Sequence, residues 1–206
     1  MEKAKTKITL SDFVDFSIKN GLSRLTKIEE IKAREEYHPG KDYWKKFRDG
    51  IVNFHKNKHS EDYLNHIVNE ITAARKKNYE NAINTYKNLI EKKDIQWFNP
   101  KKDDWHFSNS SIRVNPELGL VISNEPHVIK LYFKEDKSKP ETILDKRKLS
   151  TIFFLMEDTL SYDENYKYSI YNVKTGKLIT KNKSPVGIKK ILESDILSLE
   201  HLLHND

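Results

Sequence analysis

The sequence predicts an α+β fold, in which a helical N-terminal half is followed by a small mixed β-sheet of about five strands flanked by helices. Three observations predict it. Apolar residues recur at helical spacing through residues 1–93. Short runs rich in β-branched and aromatic residues follow from residue 95. Helical periodicity then returns twice, so helices stand at both ends of the strands. We therefore expect a single domain over residues 1–206, with a helical part (1–93) and an α/β part (94–206).

The helical part is predicted to hold four helices. Ser11 is a suitable N-cap for the first, which Gly21 ends. A short second helix covers residues 27–36, a third covers 41–57, and a long fourth runs over 61–92. The third has apolar residues spaced by four, four and three, which line one face: Tyr43, Phe47, Ile51 and Phe54.

The α/β part alternates short extended segments with helices. Strand-like patterns lie at residues 95–98, 105–107, 111–114, 118–123, 127–133, 168–173 and 177–180. Gly176 suits the third position of a three-residue hairpin loop between the last two. A helix opens near Arg147, and a final helix covers residues 186–203.

Composition excludes several classes of function. The 206 residues contain no cysteine, which rules out disulfides, thiolate catalysis and cysteine-ligated zinc. No apolar run approaches the roughly 20 residues that span a bilayer, and the N-terminus lacks the apolar core of a signal peptide. We expect a cytoplasmic protein with no membrane association. Phosphate-binding loop and dinucleotide-binding motifs are also missing.

The net charge of +6 is unevenly distributed. Lys and Arg outnumber Asp and Glu by 20 to 15 in residues 1–100, and by only one in the remainder. A basic half can attract DNA or RNA, although a lysine-rich solvated surface has the same composition. Arg24 and Arg48 lie among aromatic residues and are candidate nucleic-acid contacts; the alternative is that they are helix-surface charges over an aromatic core.

The richest candidate site lies between residues 115 and 134. Strand residues alternate between faces, so Lys130, Tyr132 and Lys134 share the face opposite Ile129. That face suits either a solvent-exposed sheet surface or an anion site. The candidate catalytic residues are Glu117 and Lys130, and the candidate binding residues are Asn115, His127, Tyr132, Lys134, Arg24 and Arg48.

A metal site is not predicted. His55 and His59 are four residues apart, a spacing that binds zinc on a continuous helix, but no third ligand matches. We interpret them as a solvated pair.

The Pro116-Glu117 pair, followed by a strand that carries Lys130, resembles the PD-(D/E)xK nucleases, and so does the order helix, three strands, helix, strand. Glu117 matches the first acid and Lys130 the lysine. The second acid is missing, because Val128 stands two residues before Lys130 and Tyr132 two before Lys134. The resemblance implies Mg²⁺ or Mn²⁺ only for an active nuclease, and so predicts a nucleic-acid-associated protein with an impaired nuclease-like core.

Most of the chain also resembles a family of bacterial proteins from actinobacteria and other Gram-positive bacteria. Its most specific segments are residues 114–119 and 127–134, with further similarity at 23–28 and 37–48. That resemblance implies a stand-alone cytosolic protein and no particular activity, cofactor or substrate. Two alternatives therefore stay open. One is a non-enzymatic protein that binds another protein; the other is an enzyme that uses Glu117 as general base and Lys130 or Lys134 to bind an anionic substrate.

Overall fold

The computed structural model describes residues 6–204. Residues 1–5 and 205–206 lie outside the described residues. They include both ends of the predicted domain and most of the N-terminal segment that was expected to lack a signal peptide. The elements in chain order are β1 (Thr6–Thr9), α1 (Leu10–Ser17), α2 (Leu22–Lys32), α3 (Lys45–Lys56), α4 (Glu61–Asn69), α5 (Ala73–Ile90), β2 (Ile95–Phe98), β3 (Asp103–Phe107), β4 (Ser110–Val114), β5 (Leu118–Ile122), β6 (Glu125–Tyr132), α6 (Lys146–Leu160), β7 (Lys167–Asn172), β8 (Lys177–Thr180) and α7 (Ile188–His204).

The strands form two sheets. The larger is mixed and has five strands in the order β2-β5-β6-β7-β8, in which only β6 and β7 run parallel. Helix α6 makes the crossover that a parallel pair requires. The smaller sheet has the order β1-β4-β3, with β1 parallel to β4. The α+β prediction is confirmed.

The prediction of about five strands describes only the larger sheet. The smaller sheet was missed because β1 pairs with β4 across more than 100 residues of sequence, and Thr6–Thr9 had been assigned to the helical part. The helical description of residues 1–93 is wrong at this strand. The N-cap of the first helix is Thr9, not Ser11, because the extended Thr9 backbone lets its Oγ1 accept from the Asp12 N–H at 3.1 Å.

The predicted long helix over residues 61–92 is two helices. Helix α4 ends at Asn69 and α5 begins at Ala73. Thr72 between them has φ −60° and ψ 148°, an extended conformation that interrupts the helix. The large apolar residues at helical spacing in this segment are interrupted between Ile71 and Tyr79, and this gap coincides with the break. Both helices still pack on the same apolar cluster.

The larger sheet is covered on both faces. Ile129 and Leu131 pack on one side with α3, α4 and α5, while Val128 and Tyr132 pack on the other with α1, α6 and α7. The predicted alternation of β6 is confirmed. The interpretation of the Lys130 face as solvent-exposed is wrong, because helices at both ends of the chain return to cover it. No helix within residues 6–204 combines the length and apolar composition needed to cross a bilayer.

Gly119 is required where β5 pairs with β2. A Cβ at this position would lie 2.4 Å from the carbonyl oxygen of Phe98, its partner in the ladder. We expect Gly119→Ala to lower the free energy of unfolding by about 2 kcal/mol through overpacking, as measured by urea denaturation. Gly40→Ala is the control, because its added methyl group meets only the exposed His38 ring. Equal stability of the two variants would contradict this packing.

Candidate functional site

Glu117 and Lys130 form a closed pair at the start of β5. Leu118 pairs with Ile129 in the ladder, which brings the preceding Glu117 beside Lys130. Glu117 Oε1 accepts from Lys130 Nζ at 2.6 Å, and Oε2 accepts from the Leu131 N–H at 2.8 Å. The two side chains are only 15% and 13% exposed. Burial and charge together make this a strong, directional contact.

The ammonium group of Lys130 is saturated with acceptors. Besides Glu117, it donates to the carbonyl oxygen of Asn115 at 3.1 Å and to Asn115 Oδ1 at 3.3 Å. A lysine ammonium has three N–H donors, so these contacts use all of them. Lys130 therefore ties the turn before β5 to the middle of β6.

Arg48 of α3 brings a second positive charge to this end of the sheet. Its guanidinium donates two hydrogen bonds to the Asp42 carboxylate, at 2.5 and 3.2 Å. Burial lowers the pKa of Arg48, but the hydrogen bonds to Asp42 and the charges of Asp42 and Glu117 outweigh burial and raise it. Arg48 therefore stays charged at the edge of the site.

The residues here do not fit the divalent cation that the nuclease resemblance implies. Both Glu117 oxygens already accept hydrogen bonds, and Val128, at the position of the second acid, is fully buried among apolar side chains. Across residues 6–204, no three His, Asp or Glu side chains are grouped so that they could hold a metal ion. No metal-dependent step follows from this arrangement.

Glu117 lines one of two clefts along α3, the polar cleft, and the second, the basic cleft, shares Trp97 with it; we call the two clefts together the α3 groove. The polar cleft has a volume of about 380 Å³, and the basic cleft about 750 Å³. Both are lined by α3 on one side, and both include Trp97 of β2 in their walls. The polar cleft is lined by Arg48, Asp49, Val52, Asn53, Trp97, Asn99, Pro100, Lys102, Asn115, Pro116 and Glu117. The basic cleft is lined mainly by His55, Lys56, Lys58, His59, Lys93, Gln96 and Trp97, with Glu61 and Asp94 as its carboxylates.

Lysines give the groove its positive charge. Lys56 and Lys58 in the basic cleft and Lys102 in the polar cleft are exposed, and none has an ion-pair partner within residues 6–204. Four carboxylates of the groove offset most of this charge: Asp49, Glu61, Asp94 and Glu117. An anionic ligand would therefore meet lysines that no side chain of the described chain already neutralises.

The two histidines of the basic cleft have different surroundings. His55 Nε2 lies 2.6 Å from the hydroxyl of the buried Tyr86, and burial lowers the pKa of His55 to about 4. His59 is exposed and stacks on Tyr63. The interpretation as a solvated pair is wrong for His55, because α5 packs its Tyr86 against this end of α3.

Of the eight predicted site residues, Arg48, Asn115 and Glu117 line the polar cleft, and Lys130 contacts the last two of them. Lys134 and Tyr132 lie elsewhere, beside a separate cleft of about 780 Å³. Lys134 pairs with Asp15 at 2.5 Å, and the Tyr132 hydroxyl donates to the Thr142 carbonyl at 2.5 Å. Tyr132 is the last residue of β6 and Lys134 lies beyond that strand, and neither lines the polar cleft with Glu117, so their binding roles stay predictions.

Arg24 and His127 make contacts with other parts of the fold. Arg24 pairs with Asp195 of α7 and stacks over Phe16. His127 Nδ1 lies 2.9 Å from Ser169 Oγ, inside the sheet. Neither lines the α3 groove, and their binding roles stay predictions.

Sequence reasoning missed Trp97, Lys56, Lys58, Lys102, Asn53 and Asn99. A signal for part of this set was present in the run His55-Lys56-Asn57-Lys58-His59, which is basic and ends a helix. Trp97 carried no signal of its own, since an aromatic residue in a short strand is more often core.

Comparisons of this chain with protein families, with curated proteins and with solved structures find no match. Function must therefore be argued from the geometry of the chain itself.

Lys130→Met should leave the Glu117 carboxylate half-satisfied in a poorly solvated position. We expect a loss of about 2 kcal/mol of unfolding free energy, measured in urea at neutral pH. Adding Glu117→Gln should recover about 1 kcal/mol, since the uncompensated charge is then gone. Lys137→Met, at an exposed residue, is the matched control. A cost no larger than that of the control would contradict a structural role for the pair.

His55 should make stability depend on pH. Its pKa is lowered by burial to about 4 from an unfolded value near 6.5, so the unfolded chain binds the proton first as pH falls. The stability is thus fully present above pH 6.5 and falls towards pH 4, by up to about 3 kcal/mol. Urea unfolding of the native chain and of His55→Gln between these pH values tests this. The variant should lack this part of the pH dependence, and identical profiles would contradict the assignment.

Proposed function

We propose that the protein binds nucleic acid without cleaving it, through the α3 groove and on a nuclease-like core, in the cytoplasm. The observation that carries this proposal is the groove itself, in which unpaired lysines flank a tryptophan beside the closed Glu117–Lys130 pair. A basic groove with an aromatic wall is the usual means by which proteins hold a nucleic-acid strand.

The order of elements supports the nuclease-like core. Helix α5 is followed by β2, β5 and β6 of the larger sheet, then by α6 and β7. This is the order helix, three strands, helix, strand of the resemblance, with β3 and β4 inserted after the first strand. The likeness concerns architecture, and architecture alone does not carry catalysis.

The state of Glu117 and Lys130 favours binding over hydrolysis. In the nucleases that the sequence resembles, the lysine helps to orient water or to stabilise the transition state. Here the N–H donors of Lys130 are all engaged in hydrogen bonds to Glu117 and Asn115. The same contacts weigh against the alternative in which Glu117 is a general base, because both of its oxygens are engaged within the protein.

We expect the purified protein to bind a fluorescein-labelled oligonucleotide with an affinity that falls steeply between about 50 mM and about 200 mM salt. Replacing Lys56, Lys58 and Lys102 together with Ala should weaken binding by about tenfold and reduce the salt slope by about 2 to 3, as phosphate contacts are lost. Fluorescence anisotropy measures both.

The control replaces Lys137, Lys183 and Lys190 with Ala. These lysines are exposed and lie outside the groove, so this variant loses the same charge. Binding should survive in it. Absence of binding by the native chain at low salt, or equal losses in both triple variants, would refute the proposal. Cleavage of the oligonucleotide on adding magnesium or manganese would refute its non-hydrolytic part.

A further inference from the structure

We propose that the free edge of β8 binds an extended, acidic peptide of another protein, which adds a strand to the larger sheet and inserts an apolar side chain between β8 and α6. This surface is separate from the α3 groove and from the nucleic-acid binding proposed there. Strand addition to a sheet edge is a general way in which proteins hold extended peptides.

Strand β8 is the last strand of the larger sheet, and one of its edges is unpaired. Within residues 6–204 it pairs only with β7, which runs antiparallel to it. The Lys181 N–H donates to the Tyr168 carbonyl at 2.8 Å, so the backbone groups of Ile179, two residues earlier, also face β7. Those of Leu178 and Thr180 face away, and no group of the described chain hydrogen-bonds to them. Two N–H donors and two carbonyl acceptors are thus available to an added strand.

A small cleft lies at this edge, between β8 and α6, and we call it the α6 cleft. Its volume is about 210 Å³, below the roughly 300 Å³ at which small-molecule sites begin. Its apolar walls are Leu149 and Phe153 of α6 and Ile179 of β8. In an added strand, the residue opposite Ile179 points to the same face of the sheet, with its Cβ about 5 Å away. The α6 cleft therefore has the place and the size for one apolar side chain of the peptide.

The charge of the α6 cleft indicates an acidic peptide. Among the described residues, three lysines line it and no carboxylate does: Lys146, Lys181 and Lys183. Lys181 pairs with Glu157 at 2.9 Å, whereas Lys146 and Lys183 are exposed and have no ion-pair partner within residues 6–204. Carboxylates two positions before and after the inserted side chain would lie on the same face and complement these two charges.

The same features disfavour two other occupants. A second copy of this chain would bring the same three lysines to the edge, and lysines beside an edge strand oppose self-pairing. A nucleic acid could contact the lysines through its phosphates. Its sugar-phosphate backbone, however, has no N–H group for the outward carbonyl oxygens of β8 and no apolar side chain for the cleft. An acidic peptide with an apolar residue at its centre matches the edge, the walls and the charge together.

The test uses a fluorescein-labelled peptide of about seven residues, which is a typical strand length. Glutamates stand two positions before and after a central leucine, and threonines fill the other positions. We expect saturable binding with a Kd below about 1 mM by fluorescence anisotropy. Lysines in place of the two glutamates, alanine in place of the leucine, or N-methylation of the peptide backbone should each weaken binding, by removing the charge, the apolar contact or the N–H donors.

The decisive variant is Thr180→Pro. It removes an outward N–H and keeps the ladder to β7, because proline is tolerated in an edge strand where the N–H faces solvent. Peptide binding should weaken by at least about tenfold. Thr180→Val is the matched control, since it loses the same hydroxyl, which lies 3.1 Å from Ser169 Oγ, but keeps the N–H. Its affinity should stay within about twofold of the native value.

A charge reversal tests the same surface if Thr180→Pro folds poorly. Lys146→Glu with Lys183→Glu changes two exposed side chains, and should weaken binding of the glutamate peptide by about tenfold while strengthening that of the lysine peptide. Lys76→Glu with Lys137→Glu makes the same change of charge at exposed positions outside the α6 cleft, and should leave the preference for the glutamate peptide in place.

Absence of saturable binding by the native chain would overturn the inference, and so would unchanged affinity in Thr180→Pro or, where that variant is unfolded, in the charge-reversed variant. Displacement of the peptide by a single-stranded oligonucleotide would assign the α6 cleft to nucleic acid. A dimer of the native chain that Thr180→Pro abolishes would assign the edge to a second copy. Either result would also overturn the inference, while the lysine variants of the α3 groove test the proposed function separately.

Discussion

The burial of both faces of the five-stranded sheet is the constraint on which the rest of the structure depends. Strand β6 has apolar side chains on both sides, and each side needs its own layer of helices. The layer of α3, α4 and α5 comes from the first half of the chain. The opposite layer combines α1 with α6 and α7, so both ends of the described chain meet there. The α3 groove exists because α3 stops at the edge of this sheet.

This constraint also explains the state of the polar pair. A lysine on a strand covered by helices must have its charge matched, since an isolated buried charge is costly. Lys130 meets that need with Glu117 and Asn115, and the same contacts fix the turn that leads into β5. A motif that resembles nuclease chemistry thus supports the wall of a cleft in this chain.

Local patterns in the sequence were enough to predict the α+β class, most helices and the strands of the larger sheet. The nuclease resemblance singled out Glu117 and Lys130 together, and the pairing of β5 with β6 brings these two side chains into contact. What failed depends on distant contacts. The pairing of β1 with β4 leaves no periodic trace in a four-residue strand, and the break at Thr72 has no glycine or proline to mark it.

The candidate site was predicted only in part for the same reason. Arg48 and Asn115 line the polar cleft, whereas His127 lies three residues before Lys130 on β6 and Lys134 lies beyond the end of that strand. Each step along a strand displaces a residue by about 3.3 Å. Trp97 is distinguished by an indole nitrogen that is buried and has no acceptor within residues 6–204. Such a property belongs to a three-dimensional environment, and no residue pattern encodes it.

The parallel pairing of β1 with β4 has a consequence for how the chain folds as it is synthesised. Thr6–Thr9 is synthesised about a hundred residues before its partner strand Ser110–Val114. Helices α3, α4 and α5 can form from local contacts in the meantime, whereas β1 lacks its partner strand and α1 lacks α6 and α7, which share its apolar cluster. Strand β1 can therefore dock only after β4 has been synthesised, and until then its unpaired edge is open to wrong pairing.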